Sequence, residues 1–367
     1  MSNFVLMAGG TGGHLFPAMA LAQELRRRGH VVYLMTDHRV TGYGQSFPAR
    51  EVLVVPSATP SVRNPIKFAS AAVRILWGTT VAGRKLSRLR ADAVVGFGGY
   101  PVFPPFLAAS LRRIPGILHE QNAVMGRANA ALGRFASVVA LSFAKTARAE
   151  PYAAKAVLTG NPVRDKVREV AGTPYPPLEP GGPIRLLVFG GSQGARAFAE
   201  LIPPAIAELP ADVRARLRIA QQCRPEDLDR VAEAYRQAKV NVELASFFDD
   251  LPRRMADSHL VIGRSGASTV AELCVIGRPA VLVPLPGSID ADQKNNALVI
   301  DAAGGGWIAE QATLSPQSLA TRLASLFGEP ESLVRAAAAA KSLGRPDAVE
   351  KLADLAEDLA SRGTKKI

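Results

Sequence analysis

FVLMAGGTGGHLFPAMALA, residues 4–22, opens on a short apolar run, passes through four glycines within five residues and continues as an amphipathic stretch of helical length. An apolar run that ends in glycine and leads into a helix reads as a buried parallel strand, a tight turn and a crossover helix. IRLLVFGGSQGARAFAELI, residues 184–202, repeats this layout, with Gly9, Gly10, Thr11 and Gly13 lying 181 residues before Gly190, Gly191, Ser192 and Gly194. A repeat of that size implies two similar Rossmann-like folds rather than a solenoid. The mismatches matter as much, because Gln193 stands in place of Gly12 and Ala195 in place of His14. Whatever the two loops share is phosphate-like or backbone recognition. Whatever needs a histidine belongs to the first loop.

Outward from these loops, the first half alternates apolar runs and amphipathic stretches: VVYLMTD, a helix around Lys67 to Leu89, AVVGFGG, a helix around Phe106 to Arg112, and GILHEQN. Strands that end in glycine or polar residues and lead into helices are parallel βα units. Near Thr173 the chain turns to TPYPPLEPGGP, whose Pro and Gly content reads as a linker. A length of 367 residues suits two domains of roughly 150 to 200 residues each. The expected division is an N-terminal Rossmann-like domain over 1–165, a linker over 166–183, a C-terminal Rossmann-like domain over 184–344, and a helix over 345–367 packing back on the first domain. The fold class is α/β, with two parallel sheets facing across a deep cleft.

Cys223 and Cys274 show no pairing pattern or metal-ligand spacing, which fits a reducing compartment. No apolar run reaches the roughly 18 to 20 residues of a membrane span, and no signal peptide is expected. Of the net charge of +12, residues 1–165 hold all the excess, with 20 Lys/Arg against 7 Asp/Glu, while the remainder has 24 against 25. Such asymmetry implies an anionic partner for the first half, nucleic acid or an anionic membrane surface, unless it is simply a solvated basic face. No aromatic-basic module supports nucleic acid. Residues 66–90 favour the membrane: Ile66, Phe68, Ile75, Leu76 and Trp77 stand among seven basic residues counted from Arg63, including Arg74, Arg84 and Lys85. Apolar anchors with a basic rim make an interfacial patch. The competing reading is a core-facing helix, divided at Gly78.

A glycine-rich turn admits a ligand close to the backbone, and the helix behind it offers free N–H groups and partial positive charge. The first loop departs from G-x-G-x-x-G, since Leu15 occupies the third glycine position. Asp37 could still bind a ribose, so a dinucleotide dehydrogenase stays as a minor alternative. A third loop, Gly96 to Pro101, would line the same sheet edge. The stretch VIGRSGASTVAELCVIGRPAVLVPLPGSIDADQKNNA, residues 261–297, reads strand, loop, helix, strand, loop, helix. Its Ser265, Gly266, Ala267, Ser268 and Thr269 would seat a diphosphate on helix N-terminal amides without a metal. Glu272 could accept two ribose hydroxyls, or be a plain helix-surface carboxylate. Asp290-Ala291-Asp292 resembles a metal-binding D-x-D, but no third acidic ligand lies close by, so no metal is expected.

GGTGGH, GFGGYP, HEQNAVMGRAN, TGNPVR, GGSQGAR and RSGASTVAE occur here in the order found in the MurG family, which the chain resembles from Gly9 to about Asn296. The resemblance implies the GT-B fold and inverting transfer from UDP-N-acetylglucosamine to lipid I, the undecaprenyl-diphosphate-linked N-acetylmuramoyl-pentapeptide, giving lipid II without a cofactor. It implies donor contacts from Thr11, Gly12, Gly13, Asn122, Arg164, Ser192, Arg264, Ser265, the Gly266 to Thr269 backbone, Glu272, Asp292 and Gln293. Some members have two glutamines where this chain has Asp292-Gln293, and Arg164 could equally be structural. The acceptor side would comprise Gly10, Gly13, His14, Gly98, Gly99, Tyr100, His119 and Glu120. An inverting transfer needs a base at the attacking hydroxyl, and histidine titrates in the right range. His14 is favoured as base or acceptor-orienting group over a capping or packing role, with His119 supporting it and Glu120 a partner of His119. The implied location is peripheral, on the cytoplasmic face of the inner membrane, with other cell-wall synthesis or division proteins as partners. The alternatives are a glycosyltransferase with a soluble acceptor, a UDP-sugar 2-epimerase, or a non-catalytic scaffold.

Overall fold

The computed structural model describes residues 1–9, 12–38, 47–59, 65–191 and 196–364. They form two compact units, Met1–Arg164 with Pro346–Ile367, and Asp165–Arg345.

The first unit is built on seven parallel strands: β1 (Asn3–Met7), β2 (Val31–Thr36), β3 (Glu51–Val54), β4 (Ala93–Gly96), β5 (Gly116–Glu120), β6 (Val138–Leu141) and β7 (Ala156–Leu158), in the order β3-β2-β1-β4-β5-β6-β7. The apolar runs read as central strands are fully buried, Phe4 to Met7 and Ala93 to Val95 among them, because helices cover both faces. Those helices are α1 (Gly12–Arg27), α2 (Pro65–Leu89), α3 (Phe103–Leu111) and α4 (Arg127–Leu132). The strand order reverses between β1 and β4, so the loops that follow these strands part at a topological switch point. The Gly9 loop and the Gly96 to Tyr100 loop stand there side by side.

α2 runs unbroken through Gly78, contrary to the division considered above. A Cβ at Gly78 would lie 2.0 Å from the Pro56 carbonyl oxygen, so this glycine permits a close approach and does not end the helix.

The second unit repeats the plan with β8 (Ile184–Phe189), β9 (Leu217–Gln222), β10 (Asn241–Ala245), β11 (Leu260–Gly263), β12 (Ala280–Leu282) and β13 (Gly306–Ile308), ordered β10-β9-β8-β11-β12-β13. Its helices are α5 (Asp165–Val170), α6 (Arg196–Ala207), α7 (Ala211–Arg216), α8 (Leu228–Gln237), α9 (Leu251–Asp257), α10 (Ala267–Ile276), α11 (Asp292–Ala302), α12 (Pro316–Gly328) and α13 (Pro330–Leu343). The 166–183 stretch is part of this unit rather than a free tether. Buried Arg278 donates to the carbonyls of Thr173 (3.3 Å) and Pro174 (2.8 Å), and the Tyr175 hydroxyl donates to the His259 carbonyl (2.8 Å). These bonds match the carbonyls of a segment that has few of its own.

The last helix, α14 (Ala348–Thr364), belongs to the first unit. Leu352, Ala353 and Ala356 join the cluster formed by Leu21 and Leu25 of α1. Arg28 Nη1 bonds Asp354 (2.6 Å) and Glu357 (2.7 Å) across the two helices.

Candidate active site

His14 is the third residue of α1, half-buried at the carboxyl edge of the first sheet. Its ring lies against the glycines of the neighbouring loop. A Cβ at Gly98 would be 3.3 Å from Nε2, one at Gly99 3.5 Å from Nδ1, and one at Gly9 3.4 Å from Nδ1. Gly98 and Gly99 also have φ of +88° and +79°, so the backbone calls for glycine at both, and at Gly98 a Cβ would in addition crowd the His14 ring slightly. Burial pushes the His14 pKa down to about 4. The positive end of α1 acts in the same direction, so the imidazole is neutral near pH 7. Gly98→Ala is expected to lower kcat at least about tenfold while costing only ~1–2 kcal/mol of stability, read by turnover and thermal melting together.

His119 and Glu120 are adjacent on β5, and strand alternation sends their side chains to opposite faces. They are therefore not partners. Gln121 Nε2 donates to His119 Nδ1 (3.0 Å), which leaves Nε2 as the N–H donor to the Gly160 carbonyl (2.9 Å). Both ring nitrogens are committed, and burial pushes this pKa also to about 4. His119 braces the β7 loop and has no nitrogen left for a substrate proton. His30 and His259 are likewise engaged, through Ser2 N and Glu357 for the former and Arg185 N for the latter.

Glu120 is buried and gathers four donors. Oε1 accepts from Asn122 N (3.0 Å) and Asn122 Nδ2 (3.2 Å), Oε2 from Gly126 N (2.9 Å) and Asn129 Nδ2 (2.8 Å). Desolvation pushes its pKa up, opposed by these donors. The carboxylate thus folds residues 121–129 back onto the sheet edge. Asn129, which was not singled out from the sequence, also donates to the His119 carbonyl (3.2 Å), and its Nδ2 would be 3.4 Å from a Cβ at Gly98. Tyr100 starts the short 3-10 turn Tyr100–Val102 beside these glycines. Arg164 stacks over the Phe16 ring at 4.6 Å, and a Cβ at Gly12 would meet the same ring at 3.1 Å. Gly13 is open, with nothing near its missing Cβ. Gly10, Thr11 and Ser192 lie outside the described residues.

In the second unit, Gly266 caps α10 in extended conformation with open space at its missing Cβ, and the amides of Ala267, Ser268 and Thr269 follow in the first turn. The Ser265 hydroxyl donates to the Gln293 carbonyl (2.8 Å), and Asn296 Nδ2 donates to the Ser265 carbonyl (3.1 Å). Gln293 in turn receives Leu285 N on Oε1 (2.9 Å), while Asp292 Oδ1 receives Gln293 N (2.8 Å). Asp290 and Ala291 adopt left-handed backbone just before α11. Glu272 is buried at 4% exposure, so the helix-surface reading of this carboxylate does not hold. Arg264 is a brace: Nη1 donates to the Val283 (3.0 Å) and Pro284 (3.2 Å) carbonyls and Nη2 to Gln311 Oε1 (2.7 Å), with its guanidinium 5.0 Å over Phe198. Gln222, unremarked in the sequence, accepts from Gly190 N (3.3 Å) and donates to the Ser246 carbonyl (3.1 Å), tying three strand ends together. Among the described residues no three His, Cys, Asp or Glu side chains gather as metal ligands.

Family models place this arrangement. The glycosyltransferase family 28 N-terminal domain matches residues 4–141 and the glycosyltransferase family 28 C-terminal domain residues 185–356. The chain is 55% identical over 359 residues to the UDP-N-acetylglucosamine--N-acetylmuramyl-(pentapeptide) pyrophosphoryl-undecaprenol N-acetylglucosamine transferase of Methylobacterium nodulans, covering 97% of this chain and 96% of that one. A protein of the same name from Brucella abortus is 53% identical over 361 residues, with coverage of 98% and 95%. The crystal structure of Acinetobacter baumannii MurG superposes with a TM-score of 0.79 at 32% identity, covering 97% and 99%. The UDP-GlcNAc 2-epimerase of Neisseria meningitidis, bound to UDP-GlcNAc, reaches 0.65 at 15% identity over 96% and 98%, a likeness of fold alone.

Proposed function

The chain belongs to glycosyltransferase family 28, in its MurG branch, and from that premise we infer that it transfers N-acetylglucosamine from UDP-N-acetylglucosamine to the 4-hydroxyl of lipid I. The product is lipid II. The observation that carries the chemistry is the His14 imidazole set against Gly98 and Gly99 at the sheet edge, where burial lowers its pKa and so leaves it able to take a proton from an acceptor hydroxyl. As the acceptor oxygen bonds to the anomeric carbon, the bond from that carbon to the β-phosphate oxygen of UDP breaks on the opposite face, and His14 takes the hydroxyl proton. The leaving diphosphate is stabilised by the amides and positive end of α10, which supply the positive potential without a metal ion. Release of UDP that requires a lipid I analogue, measured with and without chelator, tests this reading. Acceptor-independent hydrolysis, or interconversion of the UDP-sugar alone, would replace it with a hydrolase or an epimerase.

The acceptor is a lipid, so the enzyme must meet a bilayer. No described helix is long and apolar enough to cross one. On α2, Val73, Leu76 and Trp77 are 67%, 65% and 61% exposed and share one helical stripe with Arg84, flanked by Arg74 and Lys85. Phe68 is exposed but lies on the Ile75 side of the helix, away from this stripe, and Ile75 turns half-buried toward the unit. Three large apolar side chains set among cations suit the interface of an anionic membrane, on the cytoplasmic face where the UDP-sugar is available. A role in cell shape and division, beside other cell-wall proteins, then follows from the product. Replacing Leu76 and Trp77 together by alanine is expected to cut sedimentation with anionic vesicles several-fold at moderate salt, with turnover on a soluble acceptor analogue unchanged. Equal sedimentation of both proteins would remove this stripe as the contact.

A further inference from the structure

We propose that Asn161 determines acceptor specificity, its carboxamide hydrogen-bonding a neutral polar group of the acceptor hexosamine, either a ring hydroxyl or the N-acetyl amide. The proposal rests on the reading of the first unit as the acceptor side. Asn161 follows β7 in the turn Thr159-Gly160-Asn161-Pro162. It is only 5% exposed, and neither Nδ2 nor Oδ1 has a hydrogen-bond partner in the protein. A buried polar atom left unpaired costs about 1–3 kcal/mol, and here one side chain carries two. Packing alone would be better served by leucine, which has nearly the same shape and nothing to pair.

The position of this amide links it to the proposed base. Gly160, at φ +87°, makes the turn, and its carbonyl accepts from His119 Nε2 (2.9 Å) and Thr159 Oγ1 (3.0 Å). The His119 carbonyl is held by Asn129 Nδ2, and Asn129 and His14 both flank Gly98, where a Cβ would lie 3.4 Å from the amide nitrogen and 3.3 Å from His14 Nε2. His14, Gly98, Asn129, His119 and Gly160 thus follow one another along one sheet edge, which ends at the residue before Asn161. Within this chain the His119 ring nitrogens and both oxygens of Glu120 are already matched. The exception is Asn129 Oδ1, which is also buried without a partner. Pro162 disfavours helical backbone at the preceding residue, Asn161.

The chemistry of the group selects its ligand. A carboxamide presents one donor and one acceptor in a plane and carries no charge. That matches a hydroxyl or an amide, whereas a diphosphate calls for donors and positive potential only. A site that hydrogen-bonds such a group also discriminates strongly against sugars that lack it.

The test uses the full-length protein with UDP-N-acetylglucosamine and a lipid I analogue. Asn161→Leu is expected to raise the acceptor KM roughly ten- to hundredfold, with the donor KM within about twofold of wild type and a melting temperature equal to or above it. Asn161→Ala, which adds no bulk, should move the acceptor KM in the same direction and is decisive if the leucine variant does not fold. An acceptor KM unchanged in a folded variant overturns the proposal, since the amide is then only hydrated or structural. A rise confined to the donor KM overturns it too, because the group then belongs to the other substrate. Absence of acceptor-dependent turnover in the wild type is a separate result, which removes the function itself.

Discussion

Replacing His14 by alanine is expected to lower kcat by roughly 100-fold or more, while the KM for UDP-N-acetylglucosamine stays within about twofold. The ring stands at the first sheet edge against Gly98 and Gly99, whereas both nitrogens of His119 are taken up by Gln121 and the Gly160 carbonyl. It also stands on the acceptor side, so its loss should spare donor binding. The pH profile supplies a second reading. A base must be neutral to accept a proton, and a pKa of about 4 keeps it so well below the usual 6.5. The acid limb of kcat/KM is thus expected near pH 4 to 5 rather than near 6.5. Stability follows with a definite sign. Between pH 6.5 and about 4 the unfolded chain protonates this histidine and the folded one does not, so folding stability falls as pH drops through that window and is level above it. His14→Ala should flatten part of that fall, leaving the shares due to His119 and His259, whose pKa values burial also depresses. Near-normal turnover, or an acid limb at 6.5 in the wild type, would take His14 out of the proton transfer.

Some of this arrangement is legible in the sequence, for physical reasons. A strand buried on both faces has to be an unbroken apolar run, so FVLM, AVVG and GILHE mark themselves, and the glycines that follow mark where the backbone must turn tightly or be approached. Gly98 illustrates it, being required both by its φ and by the His14 ring beside it. What hides is whatever depends on a chain folding back. That Glu120 reaches Asn122, Gly126 and Asn129 depends on a loop path that no periodicity encodes. The pairing expected between His119 and Glu120 fails on the period of two, which sends neighbours on a strand to opposite faces. Composition misled at 166–183, where Pro and Gly suggested a tether, because a buried arginine 104 residues away holds the Pro174 carbonyl. Gly78 misled in the opposite way, a glycine inside a helix that marks contact rather than a break.

Glu120→Gln is expected to lower the melting temperature by roughly 3–10 °C and kcat/KM by roughly ten- to hundredfold, although the change is nearly isosteric. The reason is a count of acceptors. Two backbone N–H groups arrive at different oxygens of the carboxylate, Asn122 N at Oε1 (3.0 Å) and Gly126 N at Oε2 (2.9 Å). Glutamine has one oxygen. Whichever way its amide is turned, one of those N–H groups faces an NH2 in a buried site, and the backbone cannot rotate to avoid it. The unmatched donor and the lost charge-assisted bonds together cost about 2–3 kcal/mol, equal to several degrees of melting for a unit of this size. The loop must then shift, carrying with it Asn122 and Asn129, both of which Glu120 aligns. The effect on turnover therefore acts through position, and it should appear in the KM values as well as in kcat, unlike that of His14→Ala. Circular dichroism melting and steady-state kinetics on the same preparation separate the two variants. A glutamine variant with wild-type melting and wild-type kcat/KM would show that residues 121–129 hold their course without this carboxylate, and that the sheet edge is set by its backbone alone.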